Sequence, residues 1–334
     1  MTQPAQAQVS TPRAKRMTLG SVYSERSDGP FRVLIYGPEK VGKSSWAVNA
    51  PRPIFISGDN GLKHLKDPET GHAPAQVPVC ENYGDVVEAI GELTNETHNY
   101  ETVVIDPLGW IEPLIFAEFV RLHPKNDKGE TMREINDYGY FKGQNGAVDI
   151  WREILAKLER LQAKRNMNVI LVAHSQIKTA SNPMGEEYEK YCLQIDGGPK
   201  SERAAGKLAQ WPDAILFVNY AAVVRKIKGK AKGVGTGTRV VYTQPCDAFH
   251  AGNRYGLPPQ LALDFNEFRA HLSGERAEET NGDIRLELTQ LVAGTELEEP
   301  TAKFLETNPN TEKLRLLLNR ATLKLQARNE ETVQ

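Results

Sequence analysis

The sequence is poor in cysteine and contains no long apolar run. Its three cysteines, Cys80, Cys192 and Cys246, lie far apart and form neither a C-x-x-C pair nor a zinc-ligand spacing, which predicts reduced thiols in a cytoplasmic protein. No apolar run approaches the roughly 18 residues that a bilayer-spanning helix needs, and the N-terminus has no hydrophobic signal segment. These absences predict a protein that neither associates with membranes nor is secreted.

The sequence also lacks an excess of charge of either sign. Its 41 lysines and arginines nearly balance its 43 aspartates and glutamates, which gives a formal net charge of −2. With 25% charged and 40% hydrophobic residues, the composition indicates a soluble globular protein. This balance does not exclude nucleic-acid binding, because a local basic patch is enough to attract phosphates. A length of 334 residues suits one large domain or two smaller ones.

The chain divides into three segments by composition. Residues 1–29 are rich in Gln, Ser, Thr, Pro and Ala, which predicts a disordered tail. Residues 30–273 alternate short apolar runs with amphipathic stretches, which predicts an α/β core with a largely parallel sheet. Residues 274–334 begin with a charged linker and predict a small helical C-terminal segment, either a simple appendage or a partner-binding module.

Within the core, apolar runs and helical periodicity predict the individual elements. Polar residues 123–140 indicate a mobile surface insertion. Residues 220–227 and 238–243 predict a hairpin, joined by a flexible Gly- and Lys-rich tip at 229–237. The other predicted strands are 31–36, 53–57, 101–106, 168–173 and 214–219, and the predicted helices are 83–94, 109–122, 147–164 and 203–210.

The core is organised around one stretch, FRVLIYGPEKVGKSSWAVNA at residues 31–50. An apolar strand runs into Gly37–Ser44, which matches the P-loop pattern G-x-x-x-x-G-K-[ST], and an apolar helical face follows. The backbone N–H groups of such a loop and of the helix N-terminus bind phosphate oxygens. Lys43 would reach the β- and γ-phosphates of ATP, and the Ser44 hydroxyl would bind Mg²⁺. The predicted nucleotide-binding residues are Gly37, Pro38, Glu39, Lys40, Val41, Gly42, Lys43, Ser44 and Ser45.

Two acidic residues follow predicted strands. Asp106 ends the run Val-Val-Ile-Asp, and the carboxyl ends of parallel strands meet at one sheet edge, so we expect it to hold Mg²⁺ together with Ser44. Asp59 follows the second strand and is the candidate for orienting or deprotonating the attacking water. Its surroundings, Ser-Gly-Asp-Asn-Gly, are equally typical of an ordinary turn. Pro107 can supply no carboxylate directly after Asp106.

Two further polar groups complete the predicted catalytic set. The fourth strand ends in His-Ser-Gln, where Gln176 is the preferred γ-phosphate sensor and His174 the alternative. Arg254, in the sequence Asn-Arg-Tyr-Gly, is either an arginine finger that completes the site of a neighbouring subunit or a surface arginine in a turn. The predicted catalytic residues are Lys43, Asp59, Asp106, Gln176 and Arg254.

A basic stretch without any acidic residue lies between positions 221 and 246. Charge runs are often solvated faces, but this one lies on the predicted hairpin of an otherwise balanced chain, which favours contact with a nucleic-acid backbone. Tyr188, Tyr191 and Tyr220 are available to stack on the bases of a single strand, or to pack in the core. The predicted DNA-binding residues are Arg225, Lys226, Lys228, Lys230, Lys232 and Arg239.

The segments GPEKVGKS, IFISGDNGL, TVVID, HSQIK and NRYG, in this order, resemble the RecA-type ATPase core. They are most similar to the small phage-encoded RecA-like ATPases that act with single-strand annealing and single-strand-binding proteins. Asp59 falls where RecA-type proteins have a catalytic glutamate, and Ser175-Gln176 is similar to the sensor pair of hexameric helicases. The NRYG segment is similar to the KNRFG element of bacterial RadA, with Gly252 in place of its lysine. The resemblance covers about residues 31–265.

The resemblance implies Mg²⁺-dependent ATP hydrolysis coupled to binding single-stranded DNA in a homo-oligomer. It further implies a role in phage recombination or annealing in the host cytoplasm, with a single-strand-binding or annealing protein as a further partner. Three alternatives remain open. They are a translocating helicase or packaging motor, an ATP-gated adaptor that binds a protein through residues 274–334, and a phosphotransferase with 123–140 as its lid.

Overall fold

A computed structural model describes residues 29–59, 61–182, 185–196, 203–227 and 230–273, and positions 288–289, 291–292, 295, 297–306, 313–314, 317–318 and 320–321. The strands are β1 (Arg32–Gly37), β2 (Pro53–Ile56), β3 (Ala75–Gln76), β4 (Thr102–Ile105), β5 (Asn168–Ala180), β6 (Tyr188–Leu193), β7 (Ala214–Ile227), β8 (Lys230–Tyr242), β9 (Gly252–Asn253) and β10 (Gln260–Ala262). The helices are α1 (Lys43–Val48), α2 (Tyr83–Asn95), α3 (Leu108–Leu122), α4 (Lys142–Arg165), α5 (Arg203–Gln210), α6 (Phe265–Ser273) and α7 (Glu298–Glu306).

The described strands form a ten-stranded sheet whose main path has the order β10-β8-β7-β1-β5-β4-β2-β3. β1 lies near its centre, parallel to both β5 and β7, and β5 separates β1 from β4. Antiparallel pairing is confined to β8 and β10 on one side and to β6 and β9, which pair with the end of β5 and the start of β7. The largely parallel α/β sheet predicted from the sequence is confirmed.

Both faces of the central strands are buried, which explains their unbroken apolar sequences. On one face, Leu34 and Tyr36 of β1 belong to a core that also contains the apolar faces of α2, α3 and α4. On the other face, Val33 and Ile35 belong to a second core, with Trp46 of α1 and the aromatic side chains of α6. Side chains alternate along a strand, so β1 contributes to both layers.

Helix α4 begins at Lys142, earlier than its periodicity predicts. Two glycines in its first turns, Gly143 and Gly146, are typical of helix breakers in the sequence, but in the fold they allow close packing. A Cβ atom added to Gly143 would lie 2.4 Å from the carbonyl oxygen of Ile135, and one added to Gly146 would lie 2.4 Å from the ring of Phe119. These contacts place the start of α4 directly against Ile135 and against Phe119 of α3.

One predicted strand and the one predicted hairpin are longer than predicted. β5 continues to Ala180 and pairs with β6 in an antiparallel hairpin. β7 and β8 form a long ribbon in which Lys230 already pairs with Ile227. The predicted position of the hairpin tip, 229–237, is therefore wrong for residues 230–237, because cross-strand pairing outweighs the low strand preference of glycine and lysine there. The predicted flexibility stays a prediction.

The segment 123–140 contains local structure of its own. A short 3₁₀ helix spans Ile135–Tyr138, and reciprocal hydrogen bonds between Glu134 and Asp137 cap its start. The predicted mobility of this segment stays a prediction. Among the described helices, none combines the length and the hydrophobicity that crossing a membrane requires.

The C-terminal segment contains α7 and a small apolar cluster of its own. Residues 1–28 and 274–287 lie outside the described residues. The predicted disordered tail, linker and segment boundaries therefore stay predictions. The buried members of the cluster are Leu288, Val292, Leu314 and Ala321.

Candidate nucleotide-binding site

The P-loop connects the end of β1 to the start of α1 near the centre of the sheet. Gly37 lies so close to β7 that an added Cβ atom would be 2.1 Å from the carbonyl oxygen of Val218. Gly42 has a φ of 108°, in the left-handed region that favours glycine. Trp46 anchors the following helix, since its ring centroid lies 4.8 Å from that of Phe265. The two glycines thus shape the loop, and the buried tryptophan fixes its helix.

Lys43 is buried and folds back into the P-loop. Its Nζ donates hydrogen bonds to the carbonyl oxygens of Gly37, at 2.9 Å, and Pro38, at 2.7 Å. Burial lowers the pKa of Lys43 to about 8, although the carboxylates of Asp106 and Glu39 oppose this shift. A phosphate bound at the loop would raise this pKa again, because an adjacent negative charge favours the ammonium form.

Asp106 lies beside the P-loop, because β4 is separated from β1 only by β5. The hydroxyl of Ser44 lies beside the Asp106 carboxylate and favours its charged form. Burial raises the pKa of Asp106, while the Ser44 hydroxyl and the charge of Lys43 oppose the rise. Its Oδ2 atom is buried and has no hydrogen-bond partner among the described residues. A hydroxyl beside a carboxylate with an unsatisfied oxygen fits Mg²⁺, which takes oxygen ligands.

Asp59 lies at the same sheet edge, since β2 pairs with β4. Its negative charge contributes to the raised pKa of Asp106. The side chain is exposed, and its Oδ1 accepts a hydrogen bond from the backbone N–H of Gly61 at 2.8 Å. This is the turn geometry that Asp commonly forms. The structure thus brings Asp59 towards Asp106 and also holds it in an ordinary turn, so both interpretations of this residue stay open.

A tryptophan that the sequence analysis did not single out covers this turn. A Cβ atom added to Gly58 would lie 1.8 Å from Nε1 of Trp110, at the start of α3. The glycine therefore allows the indole to lie directly on the backbone before Asp59. Nothing in the local sequence indicates this contact, because it depends on how α3 crosses the sheet edge.

His174 and Gln176, the two candidate sensors, have different surroundings. His174 pairs in register with Gly37, the first residue of the P-loop. Burial lowers the pKa of His174, and the charge of Lys43 lowers it further. The Nε2 atom of Gln176 instead donates a hydrogen bond to the carbonyl oxygen of Leu193 on β6, at 2.8 Å. Of the two side chains, His174 is thus the one in electrostatic contact with the P-loop lysine.

Arg254 lies at the opposite end of the sheet from the P-loop of its own chain. It follows β9, which pairs with the first residues of β7, and its backbone N–H donates to Asp213. Its Nη1 lies 3.0 Å from Oδ1 of Asp213, which also binds Arg32 at the start of β1. The length of β1, about 16 Å at the usual rise per residue, separates this cluster from Gly37. The structure does not bring Arg254 to the other predicted catalytic residues of the same chain.

The predicted DNA-binding residues lie mainly on the β7–β8 ribbon, which we define as residues 220–239. Arg225 pairs with Lys232, and Lys226 pairs with Ala231, next to Lys230. Lys228 lies outside the described residues. The backbone therefore places these positions on two neighbouring strands.

Arg239 is the exception in this set, because its side chain reaches the P-loop. Its Nη1 donates a hydrogen bond to the carbonyl oxygen of Val41 at 3.4 Å. A Cβ atom added to Gly42 would lie 2.6 Å from the same nitrogen. Arg239 is among the residues that the sequence predicts to bind DNA, and only the register of β8, which pairs Arg239 with Tyr220, reveals its place beside the nucleotide site.

Comparison with known proteins gives a matching family and distant similarities to solved structures. The family model described as "AAA domain" matches residues 30–255. A crystal structure of the RadB recombinase is similar with a TM-score of 0.37 and 13% sequence identity, over 64% of this chain and 80% of that chain. A search of curated proteins gives no match.

Proposed function

The chain belongs to the AAA domain family, and on this basis we propose that it is a Mg²⁺-dependent ATPase that binds single-stranded DNA as a homo-oligomer. We further propose that it acts in phage-type recombination or annealing, in the host cytoplasm, beside a single-strand-binding or annealing protein. The partners and the pathway come from the sequence resemblance. The ATPase chemistry is supported by the site itself.

One observation carries the ATPase proposal. The Ser44 hydroxyl lies beside Asp106, and the Oδ2 atom of that carboxylate is buried beside the P-loop without a partner among the described residues. Burying an unsatisfied carboxylate oxygen is unfavourable unless a ligand completes the site. Mg²⁺ held by Ser44 and Asp106 would supply charge neutralisation at the β- and γ-phosphates. Lys43 would leave the carbonyl oxygens of the loop and bind the same phosphates.

Asp59 would orient the attacking water in this proposal. Its position at the edge of β2, close enough to Asp106 to influence that pKa, supports the assignment. Aspartate is one methylene shorter than the glutamate of RecA-type proteins, so the water would lie correspondingly closer to the sheet. Gln176, or His174 with its contact to Lys43, would sense the γ-phosphate.

The oligomer is proposed from the position of Arg254. Its side chain is 67% exposed and lies at the sheet end away from the P-loop of its own chain. An exposed guanidinium placed there is suited to the nucleotide of a neighbouring subunit, where an arginine finger accelerates hydrolysis by about 10³–10⁵-fold. The ribbon positions Arg225, Lys226, Lys230 and Lys232 would contact the phosphates of single-stranded DNA.

The proposal is tested by measuring ATP turnover with Mg²⁺, in the presence and absence of single-stranded DNA. We expect the wild type to hydrolyse ATP faster with DNA, and Lys43→Ala to lose activity under both conditions. Arg160→Ala is the matched control, since this exposed arginine of α4 lies outside the site. A wild type that binds neither ATP nor DNA would disprove the proposal.

Mixing experiments test the arginine finger. Arg254→Ala should be inactive alone and regain turnover when mixed with Lys43→Ala, because each variant then supplies the group that the other lacks. Absence of rescue in co-assembled subunits would exclude action in trans. Duplex unwinding with a direction would instead indicate a motor, and turnover that requires a small-molecule acceptor would indicate a phosphotransferase.

An adaptor function is the second candidate, and one observation favours it. The C-terminal segment has an apolar cluster of its own, around Leu288 and Leu314. A partner-binding module needs such a core. ATP turnover that is unaffected by DNA, together with partner binding that is lost on removing residues 274–334, would support the adaptor over the recombination ATPase.

A further inference from the structure

The β7–β8 ribbon leaves the sheet directly beside the nucleotide site. Close to the sheet, β8 is anchored on both sides, because Val241 pairs with Val218 of β7 and with Leu261 of β10. Beyond this point, the pairing of β7 with β8 shifts register between Tyr220 and Ala222. A register shift of this kind bends a ribbon locally. Arg239 pairs with Tyr220, so it stands between the anchored part of β8 and the shift.

The side chain of Arg239 points back to the P-loop rather than along the ribbon. Its Nη1 lies 3.4 Å from the carbonyl oxygen of Val41, near the upper limit for a hydrogen bond. Gly42 permits this approach, since a Cβ atom there would lie 2.6 Å from the same nitrogen. Among the described residues, no carboxylate forms an ion pair with Arg239. The guanidinium therefore keeps most of its five donors available for a stronger acceptor.

A phosphate oxygen is such an acceptor. Charge-assisted hydrogen bonds from arginine to phosphate are shorter and roughly twice as strong as bonds to a neutral carbonyl. Lys43, the cation inside the P-loop, is buried beneath the loop carbonyls. Arg239 approaches from outside the loop, on the side of Val41 and Gly42. A nucleotide phosphate bound in the loop would thus have a second cation within reach of a side-chain movement.

We propose that Arg239 binds the terminal phosphate of the nucleotide in its own subunit and thereby links the nucleotide state to the β7–β8 ribbon. This inference rests on the proposed function, because it takes the P-loop to bind ATP and the ribbon to bind DNA. When Arg239 moves from Val41 to a phosphate, it displaces β8 at the point next to the register shift. The ribbon then adopts one position with ATP and another with ADP.

The first test is nucleotide affinity without DNA, measured with fluorescent ATP and ADP analogues. We expect Arg239→Ala to lower ATP affinity by roughly 10–100-fold, the usual effect of losing one hydrogen bond to a charged group. The ADP affinity of Arg239→Ala should change less than about 2-fold. The ATP affinity of Arg239→Lys should lie between those of the wild type and Arg239→Ala. Arg160→Ala should bind both nucleotides as the wild type does. Thermal unfolding of each variant checks that the fold is retained.

The second test is the effect of nucleotide on DNA affinity. In the wild type, the affinity for a single-stranded oligonucleotide should differ between the ATP-bound and ADP-bound protein. The ratio of these two DNA affinities should approach 1 in Arg239→Ala. Lys232→Ala should weaken DNA binding with both nucleotides alike and keep the ratio. Linkage requires DNA to change ATP affinity by the same factor.

The outcomes separate this inference from the proposed function. If Arg239→Ala binds ATP normally but loses DNA, the residue is a DNA contact, as the sequence predicted, and the inference is wrong. If the wild type binds no ATP and Lys43→Ala has no effect, the proposed function fails first. The inference and the proposed function are both supported if Arg239→Ala loses ATP affinity and Lys43→Ala loses affinity for both ATP and ADP.

Discussion

The hydroxyl of Ser44 lies beside the carboxylate of Asp106, although the two residues follow strands β1 and β4, which β5 separates. This proximity brings the start of α1 next to the end of β4. The Oδ2 atom of Asp106 is buried and unpartnered among the described residues. Ser44 and Asp106 thus lie together at the site, but one carboxylate oxygen still lacks a ligand.

Replacing Asp106 by asparagine separates metal binding from folding. We expect Asp106→Asn to lower ATP turnover by at least about 100-fold, a typical effect of removing one group that stabilises transition-state charge. Calorimetric titration with ATP should show that Mg²⁺ no longer strengthens binding. An unchanged Mg²⁺ effect would rule out Asp106 as the metal ligand.

The same variant should be more stable than the wild type without nucleotide. Burial raises the pKa of Asp106, so the charged form destabilises the folded state. For a raised carboxyl pKa, the wild type gains stability as pH falls through that pKa towards the ordinary carboxyl value, and loses it as pH rises back through the folded-state pKa. Thermal unfolding between pH 4 and 8 should therefore show the advantage of Asp106→Asn growing with pH, and a constant difference would contradict the assignment.

The lowered pKa of Lys43 predicts that the protein takes up protons when it binds ATP. Its pKa is lowered to about 8 by burial, so near pH 8 about half of the molecules carry a neutral lysine. Bound phosphates restore the charge, which predicts uptake of about 0.5 proton at pH 8 and little at pH 6.5. Calorimetry in buffers of different ionisation enthalpy measures this number. Lys43→Arg is the control, because a guanidinium stays charged throughout; equal uptake in both proteins would refute the interpretation.

The two candidate sensors can be ranked by alanine substitution. His174 lies opposite Gly37 and interacts with Lys43, so His174→Ala should lower turnover by roughly 10–100-fold. Gln176→Ala should lower turnover less than about 3-fold and instead destabilise the fold by about 1–3 kcal/mol, because the carbonyl oxygen of Leu193 loses its donor. The reverse order of effects on turnover would restore Gln176 as the sensor.

Two helical glycines should respond to alanine in opposite ways. Gly91 in α2 has open space where a Cβ atom would be, so Gly91→Ala should stabilise the protein by about 0.5–1 kcal/mol. At Gly146 in α4 the added atom would lie 2.4 Å from the ring of Phe119, so Gly146→Ala should destabilise by about 1–3 kcal/mol. Urea unfolding of the two variants provides the comparison, and a shift of the same sign in both would contradict the packing described for α4.

The elements that the sequence predicted well are those with strong local patterns. β1 and the P-loop are identified by an apolar run followed by fixed Gly, Lys and Ser positions, and α5 by its periodicity, with bounds at Arg203 and Gln210 that match the prediction. The start of α4 was mispredicted because Gly143 and Gly146 resemble breakers until their neighbours are known. Residues 230–237 were mispredicted because pairing with β7 determines their conformation.

In the candidate site, too, the sequence predicts contacts that follow from local motifs but not contacts that depend on long-range strand pairing. Ser44 and Asp106 meet because parallel strands end at one edge, which the sequence pattern predicts. The contact of Arg239 with Val41 depends on the register of β8 against β7 and on the space above Gly42. Neither the register nor this space can be read from a short motif. The basic run therefore contains Arg239, which lies beside the P-loop, together with basic residues that lie farther along the ribbon, and only the register of β8 distinguishes them.

Asp213 binds two arginines, Arg32 and Arg254, and they differ in exposure. The side chain of Arg32 is 20% exposed, whereas that of Arg254 is 67% exposed. Hydrogen bonding and charge from Arg32 hold the pKa of Asp213 below its ordinary value against the opposing effect of burial. In the proposed oligomer, where Arg254 would turn towards a neighbouring subunit, Asp213 would keep Arg32 as a charged partner. Subunits would then be able to exchange this contact through each cycle of association without leaving an uncompensated carboxylate in the interior of either one.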